Sequence, residues 1–185
     1  MFYLTMFGLI VYAAQSFIIF PLEEFLRGDG SADYASLLFL PHGFKAFAVI
    51  FFGIVAFVPI FICQFTNGLF FYGEFKLDAF ISTLIGLISF VIPYALYNLS
   101  KNNNIFSPRK RLFDKDVSNF WLFCQISIYA SFVNSLLHSS YYATSEINLK
   151  WNFLLGDNIG ALAFFTLCLF VLAPVIKNTT ELKNE

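Results

Sequence analysis

The stretch that decides the fold is Leu37–Tyr72, LLFLPHGFKAFAVIFFGIVAFVPIFICQFTNGLFFY. It is almost free of charged residues and too long for one comfortable helix across a bilayer, which needs about twenty residues. Gly53 followed by Pro59 is typical of a helix end, a short turn and a proline in the first turn of a new helix. The sequence therefore predicts two short helices here, over residues 37–53 and 57–73.

Four further runs without a charged residue flank this stretch. Continuous apolar runs lack the alternating pattern of a membrane β-barrel, and helices are the other structure that satisfies the backbone in lipid. We expect an all-α integral membrane protein, a bundle of six transmembrane helices, or of five if the decisive stretch forms one span. The flanking runs are Phe2–Pro21, Ala79–Ser100, Val117–Ser145 (apart from His138) and Asn158–Ile176.

The composition agrees with a membrane protein. Hydrophobic residues make up 58% of the chain and charged residues only 12%, against about 25% charged in a soluble domain. A soluble chain could not hide that much apolar surface. The net charge of -1 gives no sign of a nucleic-acid partner, and the 27 phenylalanines are read as a genomic bias rather than a cofactor site.

The N-terminus and the cysteines add two smaller expectations. The first twenty residues lack the basic start and the cleavage site of a signal peptide, so we expect them to stay as the first span. Cys63, Cys124 and Cys168 lie in apolar runs without C-x-x-C spacing. They are typical of small buried hydrophobic residues and not of a disulfide framework or a metal site.

The basic residues set the orientation of the spans. They concentrate in the connection 101–116 and the tail 177–185, and basic segments beside membrane helices face the cytoplasm. With six spans both termini are cytoplasmic and the acidic connection 23–33 is outside; with five, the N-terminus and that connection change sides. We expect a multi-pass protein of the cell membrane, of the bacterial inner membrane type, with residues 1–176 as its transmembrane domain. The basic residues are Lys101, Arg109, Lys110, Arg111, Lys115, Lys177 and Lys183.

Polar side chains within the apolar runs are the candidates for a binding site, because ionisable groups are costly at membrane depth and mark functional positions by default. In the six-span arrangement they converge on the outer half of the bundle from four spans. In the five-span arrangement His42 and Lys45 move to the opposite side and the convergence is lost. The predicted ligand-binding residues are His42, Lys45, Asn134, His138, Asp157 and Asn158, with Gln64 and Asn67 as uncharged companions.

Each of these residues also has an ordinary structural interpretation. Lys45 would extend its ammonium to the headgroups, and Asp157 would cap the start of the last helix. Asn134 would join helices by a hydrogen bond, and His138 would belong to an aromatic belt at the interface. His42 is the strongest indication of a site. It stands between a proline and a glycine, which leave backbone N–H and C=O groups without helical partners. Irregular backbone at membrane depth is tolerated where it is buried in protein or lines a water-filled cavity.

Catalysis and metal binding have no support in the sequence. The chain has no G-x-S-x-G, H-E-x-x-H or glycine-rich phosphate loop. His42, His138 and Asp157 are suitable metal ligands by type, but no local spacing supports them. We therefore predict no enzyme activity, no catalytic residue, no metal and no cofactor.

Three short motifs together resemble a known family. Pro41-His42-Gly43 opens a span, Gly53…Pro59 follows as a turn, and Gly156-Asp157-Asn158-Ile159-Gly160 opens a later span. In order and separation they are similar to the bacterial membrane-associated sensor domains of the first MASE type, which precede sensor kinases and cyclic-di-GMP enzymes. The resemblance covers 37–174 and implies an integral membrane sensory domain.

The chain departs from that family at two points. His42 stands where the family has a small residue, and only NTTELKNE follows Lys177, without a kinase, cyclase or coiled coil. The resemblance then implies a stand-alone sensory module, which would signal through a separate cytoplasmic protein that contacts the loop 101–116.

Three functions stay open on the sequence alone. The first is a sensory or ligand-binding module with a polar site near the outer face. The second is a small-solute capture subunit of a transporter with a separate energising protein. The third is a structural or assembly protein of the membrane, in which every polar residue caps or joins helices. The ligand and the oligomeric state are not indicated.

Overall fold

A computed structural model describes residues 1–27, 36–72, 77–100, 118–141 and 147–181. Over these residues the secondary structure is helical and no strand is found, so the all-α prediction is confirmed for this part of the chain. The predicted cytoplasmic loop 101–116 lies outside the described residues. The helices are α1 (Phe2–Ala14), α2 (Phe20–Arg27), α3 (Leu40–Phe52), α4 (Phe57–Tyr72), α5 (Leu77–Ser100), α6 (Ser118–Tyr141) and α7 (Ile147–Glu181).

The first helix runs without a break from α1 into α2 through a single π-helical turn, Gln15–Ile19. Such turns occur mostly as single insertions in α-helices, often at functional sites. Here the turn holds the Gln15 side chain inside the bundle, where it is fully buried. Its Oε1 accepts the backbone N–H of Leu40 at 3.0 Å, at the start of α3. The predicted first span is thus one continuous helix.

The predicted break in the decisive stretch is present. α3 ends at Gly53, whose φ of 64° and ψ of -146° suit glycine, because a Cβ disfavours positive φ. A 3₁₀ turn, Gly53–Ala56, follows, and Pro59 then lies in the first turn of α4. The observed helices begin and end within three residues of the predicted bounds 37–53 and 57–73.

The break reverses the direction of the chain. α1 and α4 are parallel, since Gly8 lies against Cys63 and the Ser16 hydroxyl donates to Asn67 Oδ1 at 2.8 Å. Gly8 also lies against Phe44, while the later Gln15 contacts the very start of α3, so α3 is antiparallel to α1. It follows that α3 and α4 run in opposite directions.

The remaining helices continue this alternation. Contacts join the end of α4 to the start of α5, the start of α5 to the end of α6, and the end of α6 to the start of α7. The pairs that show this are Gly68 with Ala79, Asp78 with Tyr141, Ser82 with His138, Ser135 with Lys150, and Ser131 with Leu154.

Length and hydropathy do not support six spanning helices. Four described segments are long and apolar enough to cross a membrane: Phe2–Arg27, Leu40–Phe70, Leu77–Ser100 and Lys150–Val171. α3 and α4 have 13 and 16 residues, fewer than the roughly twenty that a span needs, and they count together as one segment. The coarser prediction of a multi-pass membrane protein agrees with these four segments.

α6 is absent from those four because its many polar residues lower its average hydropathy, and most of these residues lie on its inner side. The opposite side is apolar and exposed, with Trp121, Ile128 and Phe132 more than half accessible. Averaged over all its residues, such a helix has only a modest hydropathy. Its exposed face is nevertheless apolar and suits contact with lipid. The buried polar residues of α6 are Ser127, Ser131, Asn134, Ser135, His138 and Ser139.

Glycines bring α3 and α7 unusually close. A Cβ on Gly43 would lie 2.5 Å from Phe164 Cβ, and one on Gly156 would collide with the backbone carbonyl of Ser36. Gly160 faces the Phe39 carbonyl in the same way. Small residues that let backbones approach are the usual means of helix association in membranes. This contact sets the start of α3 beside the middle of α7, where the polar residues of the site lie.

Candidate functional site

An ion pair between α3 and α7 lies at the centre of the buried polar residues. His42 Nδ1 lies 3.2 Å from Asp157 Oδ2, with the two side chains 0% and 2% exposed. Asn134 on α6 donates its Nδ2–H to the same carboxylate oxygen at 2.8 Å. Asp157 lies well inside α7, which begins at Ile147, so its alternative interpretation as a cap of that helix is wrong.

One hydrogen bond shows which nitrogen of the His42 ring carries a hydrogen. Nε2 lies 3.0 Å from the Ser127 carbonyl oxygen, which can only accept, so Nε2 carries a hydrogen. Nδ1 then faces a carboxylate oxygen, which also accepts. The 3.2 Å contact of Nδ1 with Asp157 Oδ2 does not have hydrogen-bond geometry, and Nδ1 has no hydrogen-bond partner among the described residues.

Lys45 is buried beside this pair, one turn further along α3. Its side chain is 1% exposed, and its Nζ donates to Gln64 Oε1 at 3.5 Å. The ammonium lies 5.6 Å from the ring centroid of Phe39 and 5.3 Å from that of Phe90, within the range of cation–π attraction. Lys45 therefore does not extend to the headgroups, as its ordinary interpretation required.

His138 belongs to a second chain of hydrogen bonds that begins at Gln64. Gln64 Nε2 donates to the Ser82 carbonyl at 3.1 Å, and Ser82 Oγ lies 3.2 Å from His138 Nε2. His138 Nδ1 lies 3.2 Å from the Asn134 carbonyl, which only accepts, so Nδ1 donates. His138 is 6% exposed, which rules out its alternative place in an exposed interfacial belt.

Asn158 is the predicted site residue that the structure leaves apart. Its Nδ2 donates to Ser131 Oγ at 3.0 Å and to the Leu154 carbonyl at 2.7 Å. The bond to Ser131 joins α7 to α6, whereas the bond to Leu154 lies within α7. In the part of the chain that the structure describes, Asn158 forms no hydrogen bond or ion pair with His42, Lys45 or Asp157. The structure thus brings four predicted residues into one group, which we call the central cluster: His42, Lys45, Asn134 and Asp157.

Buried atoms without a hydrogen-bond partner are concentrated at the central cluster. Among the described residues they are His42 Nδ1, Ser127 Oγ and Asn134 Oδ1. The side chains of His42 and Asn134 contact Asp157, and Ser127 contacts the His42 ring through its backbone carbonyl. Buried polar atoms are nearly always paired, so three unpaired ones in one place indicate room for a water molecule or a ligand group.

The geometry does not favour a metal. Among the described residues, no three histidine, cysteine, aspartate or glutamate side chains are close enough to hold an ion. His42 and Asp157 are adjacent, whereas His138 is bonded to Ser82 and to the Asn134 carbonyl. Cys63 donates its S–H to the Thr5 carbonyl at 3.3 Å and lies away from the cluster.

A further polar network was not predicted from the sequence. Gln15 Nε2 donates to Ser36 Oγ at 3.1 Å, and Ser36 Oγ donates to Glu23 Oε1 at 2.9 Å. Glu23 also accepts the backbone N–H groups of Leu37 and Leu38 at 3.1 and 2.8 Å. The network fixes the segment just before α3, and Gln15 could have been noticed as the one amide in the apolar run of the first span.

The spacing of Gly156 and Gly160 was also overlooked. It is a small-xxx-small pair on α7, the usual signal of close helix packing, whereas the sequence analysis used these glycines only as part of the family motif. Gly160 lies against the Phe39 backbone and Gly156 against the Ser36 carbonyl, and the Phe39 ring is one of the two rings beside the Lys45 ammonium.

A separate groove of about 370 Å³ lies between the end of α5 and the first half of α6. It is mainly apolar and none of its residues belongs to the central cluster. Its lining consists of Ile92, Pro93, Leu96, Tyr97, Ser100, Gln125, Ile126, Tyr129, Phe132 and Val133.

Comparison with known protein families, with curated proteins and with solved structures finds no match to this chain. The similarity to membrane-associated sensor domains of the first MASE type therefore stays a prediction from three short motifs.

Proposed function

We propose that this protein is an integral membrane sensory module that binds a small ligand at the central cluster. The observation that supports it most is the burial of three ionisable side chains from two helices, His42, Lys45 and Asp157, close together inside the helix bundle. Ionisable groups at membrane depth are costly and mark functional positions by default. Helix packing alone would be served as well by apolar residues, because a buried ion pair often adds no net stability.

The proposed topology has all six helical segments in the membrane and both termini in the cytoplasm. Three observations support it: the alternating directions of the helices, the exposed apolar face of α6, and the basic residues of 101–116. α3 and α4 would be short spans joined by the Gly53–Ala56 turn. In this arrangement the Gly53–Ala56 turn faces the cytoplasm. Lys45 lies more than two helical turns away from it along α3, so the central cluster lies toward the outer half of the membrane.

A reporter fusion tests this topology directly. Alkaline phosphatase inserted after Ser31 is expected to be active, because the connection between α2 and α3 is outside in the proposed arrangement. A second fusion after Asn103, in the basic connection, should be inactive and serves as the control. Activity at Asn103 or inactivity at Ser31 would contradict the orientation.

Signalling would proceed through α7. Asp157 and Lys150 lie toward the outer end of this helix, which continues unbroken to Glu181. A ligand that changes the pairing of Asp157 with His42 and Asn134 would alter how α7 packs against α3 and α6. The shift would reach the cytoplasmic end of α7, where a separate protein at the loop 101–116 would respond.

Ligand binding is tested by thermal unfolding of the purified protein in lipid nanodiscs against a panel of anionic, cationic and neutral metabolites. A ligand that binds only the folded state raises the melting temperature. We expect the effect to disappear in His42→Gln and Asp157→Asn and to persist in Thr166→Ala, an exposed position on α7. A panel in which no compound distinguishes these folded variants from the wild type would contradict the proposed function.

Transport is separated from sensing in the same preparation. If a compound that stabilises the protein also enters sealed vesicles in a manner that depends on His42, the solute-capture alternative is favoured. Binding without uptake favours the sensory module.

A further inference from the structure

The unpaired atoms of the central cluster indicate what kind of group it accepts. His42 Nε2 carries the hydrogen that faces the Ser127 carbonyl, and the ring is positively charged only when Nδ1 carries a hydrogen as well. A hydrogen on Nδ1 would have no acceptor in line, because the 3.2 Å contact with Asp157 Oδ2 lacks hydrogen-bond geometry. The neutral ring accounts for this arrangement, and its Nδ1 is then a buried hydrogen-bond acceptor.

Asn134 supplies a second unpaired acceptor beside the same carboxylate. Its Nδ2 donates to Asp157 Oδ2 at 2.8 Å, which leaves Oδ1 as the amide atom without a partner. His42 Nδ1 lies 3.2 Å from that same carboxylate oxygen. Two buried acceptors thus lie next to Asp157 Oδ2, and neither has a donor among the described residues. Leaving buried acceptors unpaired is costly, so the site suits a molecule that brings donors.

The charges of the cluster favour a neutral donor. With His42 neutral, Asp157 carries one negative charge and Lys45 one positive charge, and the two are close enough to attract each other. A cation would add a charge to a buried group that is already balanced, which is costly at membrane depth. An anion would bring further acceptors to a place where acceptors are already in excess.

From this geometry we propose that the central cluster binds a small primary amide or urea, whose NH₂ group donates one hydrogen to His42 Nδ1 and the other to Asn134 Oδ1. The inference rests on the proposed function and specifies its ligand class. An amide NH₂ has two donors on one nitrogen and no charge, as the two acceptors require. A hydroxyl has only one donor and a ketone has none.

Nitrogen NMR of the histidine rings tests the proposal directly. The chain has two histidines, so ring-labelled protein in lipid nanodiscs gives few resonances, and His138→Gln assigns them. We expect Nδ1 of His42 to be unprotonated in the ligand-free protein. Acetamide should move its resonance toward that of a protonated nitrogen, because the lone pair then accepts a hydrogen bond. Acetone and acetate, which have a similar shape but no N–H, should leave it unchanged.

Thermal unfolding in the same nanodiscs gives a second readout. At about ten times the Kd from the NMR titration, acetamide should raise the melting temperature by roughly 3–6 °C. Asn134→Leu, which has a similar size but no amide, should abolish the rise. If that variant does not fold, His42→Phe takes its place, because it keeps a ring beside Phe90 without a nitrogen. Thr166→Ala, on the exposed side of α7, should retain the rise.

Three results would overturn the inference. A hydrogen on Nδ1 in the ligand-free protein would remove the acceptor. An unchanged Nδ1 resonance in folded wild type, with both acetamide and urea, would mean that the unpaired atoms hold only water. An equal response to acetone or acetate would mean that the N–H donors are not recognised. The broad metabolite panel decides the proposed function separately, because it includes charged compounds and detects any stabilisation that depends on His42 or Asp157.

Discussion

At the scale of single residues, the contacts of His42 and Asp157 with neighbouring helices define the geometry of the central cluster. The His42 ring is held from one side by the Ser127 carbonyl and faces Asp157 on the other. Asn134 Nδ2 donates a hydrogen bond to the Asp157 carboxylate. Because His42 lies on α3, Ser127 and Asn134 on α6, and Asp157 on α7, the geometry of this pair is coupled to the packing of these three helices.

This coupling predicts a non-additive effect of mutations in the pair. Asp157→Asn alone should destabilise the protein by about 3–5 kcal/mol, the cost of removing one partner of a buried ion pair. His42→Gln should add much less on top of it, so that a double-mutant cycle gives an interaction energy of roughly 1–3 kcal/mol. The measurement is unfolding in mixed micelles for the four proteins of the cycle.

A matched cycle between Asp157 and Ser100 provides the control, because Ser100 lies at the far end of α5 and bonds only to the Tyr97 carbonyl. Its interaction energy should be below about 0.5 kcal/mol, the limit for independent sites. Additive free energies for His42 and Asp157 would mean that the 3.2 Å contact contributes nothing specific.

Sequence reasoning reached these residues but not their partners. His42, Lys45 and Asp157 could be selected because an ionisable group in an apolar run is conspicuous at any position. Their pairing depends on which helix faces meet each other. That in turn depends on the close approach of α3 to α7 at Gly43 and Gly156. Serine hydroxyls such as Ser127 gave no signal at all, since serine is common in membrane helices.

At the scale of helices, the glycines of α7 determine whether the site can form. Gly156→Ala would place a methyl group against the Ser36 carbonyl, a backbone atom that cannot move aside by changing rotamer. We expect a loss of about 1–3 kcal/mol or more, the cost of overpacking a dense interior. Thermal unfolding in detergent measures it.

Gly68→Ala is the matched control for that substitution. Its Cβ would meet Ala79 Cβ at 3.3 Å, a tight contact with a side chain between α4 and α5. The loss of stability should be clearly smaller than for Gly156→Ala. Equal losses would mean that the contact of α7 with the segment before α3 is no closer than an ordinary helix packing.

The pattern of α6 makes a second prediction at this scale. Exchanging neighbours, Ser135→Leu with Leu136→Ser, keeps composition and average hydropathy unchanged. It would remove the hydrogen bond from Ser135 Oγ to the Lys150 carbonyl and move a leucine from an exposed to a buried position. We expect the exchanged protein to lose its cooperative thermal transition.

The control for α6 is an exchange that stays on one face. Ile128→Leu with Leu136→Ile alters two exposed positions and should leave the melting temperature within a few degrees. If the Ser135 and Leu136 exchange is tolerated equally well, then α6 does not depend on which face carries its polar residues. In the sequence, Asn134 and His138 lie one helical turn apart and mark part of that face, whereas its serines gave no signal because serine is common in membrane helices.

At the scale of the whole molecule, a single turn decides the architecture. Gly53 and Pro59 could be recognised in the sequence because each has a known backbone effect. The direction of the chain after the break could not be recognised in the same way, because a helix stop permits either a kink in one long span or a reversal. The contacts of α1 with α3 and α4 select the reversal, which is what brings Lys45 to Gln64 across the turn.

Cross-linking tests this reversal. Ser16→Cys with Asn67→Cys replaces a pair whose side chains are 2.8 Å apart, in a Cys63→Ala background. We expect rapid disulfide formation with copper phenanthroline, because α1 and α4 are parallel and these residues lie at one level. Thr5→Cys with Asn67→Cys is the control, since Thr5 lies eleven residues earlier on α1, about 16 Å along the axis at 1.5 Å per residue, and should not cross-link. A cross-link in the control pair alone would mean that α4 runs antiparallel to α1, and the convergence of Lys45, His42 and Asp157 would then lose its structural basis.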